Sequence, residues 1–155
     1  MKKTSIVIKW YKVEHWLYMH NLKRTSKIFY HIIQILFGCS IPPKVMLEEN
    51  VDFPHYHGIV IHQDTIIHEG TLIYQNVTIG GGKNGYGCEI GKNCFVGAGA
   101  CILGKIKIGD NVKIGANAVV LSDVPEGSTV VGVPGKIVKR NSNNDNNKYN
   151  NECLQ

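Results

Sequence analysis

The residues with the most chemical reach lie in two short stretches. His55 stands within Pro54-His55-Tyr56-His57-Gly58, and Gly80-Gly81-Gly82-Lys83 follows further along the chain. A neutral imidazole can take a proton from a hydroxyl near neutral pH. Consecutive glycines bare their backbone N–H groups, and with one lysine beside them they favour an anion. His62 and His68 lie close by in sequence, but no carboxylate pattern accompanies them, so no metal site is expected. Five cysteines (Cys39, Cys88, Cys94, Cys101 and Cys153) make an odd count with no CxxC pair. That argues against a disulfide framework and against structural zinc.

The elements that must hold these groups repeat every six residues. Ile61, Ile67, Ile73 and Ile79 form one run, and Ile90, Val96, Ile102, Ile108, Ile114 and Val120 form another. Four residues after these comes a small or branched side chain: Thr65, Thr71 and Val77, then Cys94, Ala100, Ile106, Val112, Ala118 and Val124. Helices repeat near 3.6 residues and half-buried strands near 2, so a strict six fits neither. It predicts short parallel strands and tight turns wound into a coil. The large residue fills the inside and the small one sits near the corner. Glycine just after the large one (Gly80, Gly91, Gly97, Gly109, Gly115) relieves backbone crowding.

The register breaks twice. Between Phe53 and Ile61 two extra residues enter, placed near Gly58; between Ile79 and Ile90 five enter, forming a glycine-rich loop over 80–89. Such interruptions of a regular scaffold sit beside functional sites. His55 falls two residues into its hexad, facing outward just before the first break. His57 takes a small-residue position and is expected to pack at the corner. Cys94 falls on an inward position, and Cys88 falls in the loop, where it could be a reactive thiol.

Around the coil (41–126) the chain reads as a helical segment over 6–38, a cap over 127–140 and an asparagine-rich tail over 141–155. The tail lacks the apolar content to fold. Val13, Trp16 and Leu17 share one helical face; Ile28, Phe29, Ile32, Ile33, Leu36 and Phe37 form a second amphipathic stripe. Gly38 reads as a helix C-cap. The net charge of +5 is partly local, from Lys2, Lys3, Lys9, Lys12, Lys23, Arg24 and Lys27. The plain reading is a solvated helix face; the sharper one is attraction to an anionic ligand or membrane surface. No nucleic-acid motif accompanies the charge. No apolar run of about 18 residues is present, so no stable membrane insertion is expected. The start lacks a secretion signal, which suggests a cytoplasmic protein.

Four segments carry a resemblance: KVEHWLY, PHYHGIVI, YQNVTIGGGK, and VGAGACILGKIKIGDNVKIGANAVVLSDVP with GVPGKIV. Over about residues 10 to 140 the chain resembles the left-handed parallel β-helix (hexapeptide-repeat) acyltransferases, and within them the serine acetyltransferases. The resemblance implies a mostly β fold: a left-handed β-helix preceded by a short α-helical segment. It implies a homotrimer with acetyl-CoA lying between neighbouring coils. It also implies that His55 is the general base on the acceptor hydroxyl, which attacks the thioester directly. By the same carry-over Gly80, Gly81, Gly82, Lys83, Gly97, Ala98, Gly99, Ala100 and Gly132 line the acetyl-CoA site.

Departures from the family bear on the acceptor. The aspartate that orients the base aligns with Ser40, the aspartate before it with Pro54, and the glutamate of the next hexad with Gln63. The family's second active-site histidine, in the glycine-rich loop, has no counterpart. The activity implied is acetyl transfer from acetyl-CoA to a small-molecule hydroxyl. Serine is the first acceptor, a sugar hydroxyl of surface-polysaccharide biosynthesis is the alternative, and a non-catalytic binding coil is the third reading.

Overall fold

Strands of two or three residues suffice here because each hexad supplies its own turn. In the computed structural model, which describes residues 4–82 and 86–140, thirteen short strands follow two helices. One sheet holds β2 (Val60–Ile61), β5 (Thr78–Gly80), β8 (Cys101–Leu103) and β11 (Val119–Val120). A second holds β1 (Met46–Leu47), β3 (Ile66–Ile67), β6 (Glu89–Ile90) and β9 (Lys107–Ile108). The third holds β4 (Leu72–Ile73), β7 (Phe95–Val96), β10 (Lys113–Ile114), β12 (Ser128–Val131) and β13 (Lys136–Arg140). All pair in parallel except β13, which folds back antiparallel on β12. Successive strands step from sheet to sheet, so the three sheets are the faces of a prism.

The six-residue beads stack inside it. Ile61 lies on Ile79 and Ile79 on Ile102; Ile73 lies on Val96 and Val96 on Ile114. All are buried, and each such side chain contributes about 1.5–3 kcal/mol of transfer free energy. The smaller residues of the repeat are buried too, including Thr71, whose hydroxyl donates to the Gly91 carbonyl (2.8 Å) and accepts the Cys94 amide (3.0 Å). The corners turn through residues in the left-handed conformation. Asn76, Asn93, Asn111 and Asn117 have φ of 58°, 52°, 57° and 56°, a region asparagine tolerates better than other side chains. The glycines after the aliphatic residues serve stacking instead: a Cβ on Gly97 would lie 2.7 Å from the Ala116 amide nitrogen.

Helices α1 (Ile6–Met19) and α2 (Lys23–Phe37) form a hairpin that closes the first coil. Val7, Ile8, Tyr11 and Ile33 join the core that contains Ile41 and Val45. Tyr11 donates its hydroxyl to the Val45 carbonyl, the Ser5 amide donates to Asp52 (2.8 Å), and Gly38 ends α2 at φ 61°. The buried stripe of α1 is Val7, Ile8, Tyr11, Glu14 and Leu17. Val13 and Trp16, on the face read from the sequence, are instead exposed, as are Ile28 and Leu36 of the α2 stripe. A carboxyl occupies the inner position that periodicity would give to an apolar residue. The tail 141–155 lies outside the described residues, as does Lys83.

Candidate active site

The first interruption lies further upstream than the spacing suggested. In the regular coil above it the Gly99 amide donates to Gln75 (2.9 Å); at the break the Asn76 amide donates to His57 (2.9 Å). His57 therefore corresponds to Gln75, and Gly58 (φ 72°) to the left-handed Asn76. Ile59, not His57, takes the buried small-residue position; His57 is exposed and stacks on Tyr56, ring centroids 4.7 Å apart. Between Phe53 and His57 the chain has Pro54, His55 and Tyr56, where the next coil has only Tyr74. The two extra residues fall within this three-residue segment, and the arched strand pushes an imidazole into solvent.

His55 is exposed, with its ring 5.8 Å from that of Tyr74, which lies 5.1 Å from Phe95. The three rings climb successive coils as an outer aromatic ladder. Tyr74 and Phe95 escaped sequence reasoning, although both occupy outward positions of the hexad. Gly97, Ala98, Gly99 and Ala100 turn at the same corner two coils above His55, about 10 Å along the axis at the usual strand spacing. Gly97 and Ala100 are buried, while Ala98 and Gly99 are half-exposed. Gly132 is exposed in the cap and accepts the Val119 amide at 3.0 Å.

The second interruption lies at the other end of the face formed by β2, β5, β8 and β11. Gly80 ends β5, and Gly81 and Gly82 lead out from it. A Cβ on Gly81 would sit 2.7 Å from Nε2 of His62, and one on Gly82 would sit 3.2 Å from the Lys105 amide nitrogen. The bare backbone is thus pressed against a ring and a neighbouring turn. The Asp64 amide donates to Nδ1 of His62 (3.3 Å), so the neutral ring keeps its proton on Nε2, beside Gly81. Asp64 pairs with Lys44, which holds its carboxyl below the usual range. Lys105 lies 4.4 Å from the centre of the Tyr86 ring and brings a cation to this corner that sequence reasoning sought in Lys83. Cys88 lies in the irregular stretch between β5 and β6, but it is not a reactive thiol. It is buried two residues before Ile90, as Cys94 is before Val96, and burial pushes its pKa up to about 12.

Within one chain the structure joins Gly80, Gly81 and Gly82 with His62 and Lys105, and joins His55 with Tyr74 and Phe95. It does not bring the two groups together. From Gly58 to His62 the chain crosses one face, about 13 Å at 3.3 Å per residue. Ser40 lies on the same face beneath β2, but its hydroxyl is engaged by Tyr30 of α2 (2.8 Å). Among the described residues no carboxylate hydrogen-bonds His55, and no group of three or more His, Cys, Asp or Glu side chains is arranged to hold a metal ion. A groove of about 450 Å³ beside His68, Glu89 and Lys107 lies on another face and contains none of the candidate residues.

Residues 87–122 match the family model described as "Bacterial transferase hexapeptide (six repeats)". The serine acetyltransferase of Synechococcus elongatus is 41% identical over 133 residues, covering 84% of this chain and 54% of that protein. The crystal structure of Neisseria gonorrhoeae serine acetyltransferase in complex with serine superposes with a TM-score of 0.82 at 36% identity, over 86% of this chain and 55% of that one. A serine acetyltransferase in complex with CoA gives 0.80 at 36% identity, over 85% and 55%. The chain is therefore a left-handed parallel β-helix, and its residues 87–122 carry the hexapeptide transferase repeat. Over most of its length it is similar to serine acetyltransferases, and it spans about half the length of the curated relatives it matches.

Proposed function

We propose that the chain is an acetyl-CoA-dependent O-acetyltransferase with His55 as general base. One observation carries the reading: a two-residue arch in an otherwise regular coil presents the His55 imidazole to solvent beside an aromatic wall, while the exposed His57 ring stacks on Tyr56. The neutral ring takes the proton from an acceptor hydroxyl as its oxygen attacks the thioester carbonyl carbon. The tetrahedral intermediate collapses, the C–S bond breaks, and the imidazolium returns the proton to the departing CoA thiolate. A base of this kind supplies ~10²–10⁴-fold. Gly80, Gly81 and Gly82, with the Nε2–H of His62 and Lys105, suit the phosphates and carbonyls of acetyl-CoA. Gly97 through Ala100 line the thioester arm on the base's corner.

The two groups occupy different corners of one prism, so the complete site forms between copies. A homotrimer sets the base corner of one coil against the loop corner of the next. Exposed Val60, Leu103 and Leu121 on the intervening face suit burial there. The neighbours solved with serine and with CoA support serine as acceptor. A sugar hydroxyl is the second reading, favoured by the missing carboxylates: Ser40 is tied to Tyr30, and Pro54 carries no charge. An amino acid's ammonium would want such a counter-charge. CoA thiol release from acetyl-CoA, measured with L-serine and with a panel of sugars, separates the readings. Release with either class supports acetyl transfer and names the acceptor; release with neither, alongside intact acetyl-CoA binding, overturns the proposal in favour of a binding coil.

A further inference from the structure

The helical hairpin carries a surface that acetyl transfer leaves unexplained. Opposite its buried stripe, α1 presents Lys9, Val13 and Trp16, with Lys12 at the edge of that face beside a groove that Glu48 and Glu49 also line; opposite its own, α2 presents Arg24, Lys27, Ile28 and Ile35. Trp16 is 54% exposed and Ile35 is 82% exposed. Residues 4–38 hold five lysine and arginine side chains and a single acid, Glu14. That acid is fully buried, and neither of its oxygens has a hydrogen-bond partner among the described residues. Burial pushes its pKa up to about 8. The outer faces of both helices therefore show cations interleaved with large apolar groups, and no carboxylate. An exposed ion-pair network, the usual reason for so many surface cations on a helix, is absent among these residues.

We propose that this hairpin docks on an anionic lipid bilayer, lying in the interface rather than crossing it. The chemistry matches in both parts: Lys and Arg pair with lipid phosphates, while Ile28, Ile35, Val13 and Trp16 sink to the acyl boundary. Tryptophan is the side chain most at home at that depth. No helix among the described residues is long and apolar enough to span a membrane. The hairpin closes the first coil, and the end of α2 reaches the His55 corner, where Phe37 packs edge-on to Tyr56 (5.5 Å). In a three-fold assembly all hairpins sit at one end, so three would bind together and their affinities multiply.

The test is flotation of the full chain with vesicles of phosphatidylcholine alone and of equimolar phosphatidylcholine and phosphatidylglycerol. Flotation with the second only, lost at high salt, is expected. The variant Lys9→Gln/Lys12→Gln/Lys27→Gln should partition on the order of a hundredfold less, about five-fold per cation. Ile28→Ser/Ile35→Ser should also weaken flotation, which separates a bilayer from a soluble polyanion. In Trp10→Phe, which leaves Trp16 alone, emission should shift to the blue on binding. Failure to float, equal flotation with both lipids, or indifference to the isoleucine changes overturns the proposal. So does a fall in oligomeric mass of Ile28→Ser/Ile35→Ser by light scattering, since the face would then meet a second copy.

Discussion

The two corners that bound the β2–β5–β8–β11 face start from the same hexad and depart from it in opposite ways. At the His55 corner two residues are added and the stack continues: the Gly58 amide bonds Gly38 at the end of α2, and those of Asn76, Gly99 and Asn117 each bond the coil below. At the Gly81 corner the chain leaves the stack and offers bare backbone against His62 and Lys105. The first arrangement lifts one exposed side chain out of the stack beside the Tyr74 ring, which suits the proton transfer proposed for it. The second brings backbone close to His62 and Lys105, with the Gly82 amide donating to the Tyr86 carbonyl (3.1 Å). The base and the cofactor contact proposed above thus lie on separate corners of one prism.

Substitutions can break this contrast, and the largest expected effect belongs to the proposed base. His55→Ala should lower kcat by ~10²–10⁴-fold with the acetyl-CoA KM nearly unchanged, read by CoA thiol release under saturating substrates. The loop corner should respond the other way. Gly81→Val drives a side chain into the His62 ring and should raise the acetyl-CoA KM about tenfold, with kcat falling less. Gly97→Ala tests the stack itself. Its Cβ would lie 2.7 Å from backbone, and the overpacking should cost about 1–3 kcal/mol, visible as a Tm lower by several degrees.

Two pH effects are smaller and lie away from both corners. Glu14 has its folded pKa raised from 4.5 to about 8, so its contribution to stability is complete below pH 4.5 and is lost as pH rises to about 8. Glu14→Gln should therefore be more stable than the parent at pH 8, with the gain fading toward pH 4.5, by thermal melts across that range. His68 lies between Glu48 (2.9 Å) and Glu89 (3.2 Å). Desolvation opposes its charge, but hydrogen bonds to both carboxylates prevail and raise its pKa. That stabilisation is present below the ordinary imidazole range and is lost as pH rises through the raised value. The Tm difference from His68→Gln should shrink accordingly.

Much of this architecture is legible in the chain because burial inside a narrow coil tolerates one size of side chain at each sixth place. Ile61 through Val120 announce the coil for that reason, and the counting also finds both interruptions. It misplaces the first, since spacing counts extra residues without saying where they leave the stack. Only the bond from Asn76 to His57 shows that Gly58 keeps its corner and that the arch lies at Pro54-His55-Tyr56. Asparagine corners also went unread, because their cause is a backbone angle and not a hydrophobic pattern. The helices misled most: a Trp and a Glu exchanged the places that periodicity assigns them. Tyr74 and Phe95 join the site by stacking across coils separated by the glycine loop, a relation that sequence distance conceals.

The division of the site between copies is tested most directly by mixing two crippled chains. His55→Ala and Gly81→Val, each poorly active alone, should regain activity when denatured together and refolded, because an intact base corner can then meet an intact loop corner. With random trimers about a quarter of the sites would be whole. Activity no greater than the mean of the two separate variants would contradict a site shared between chains.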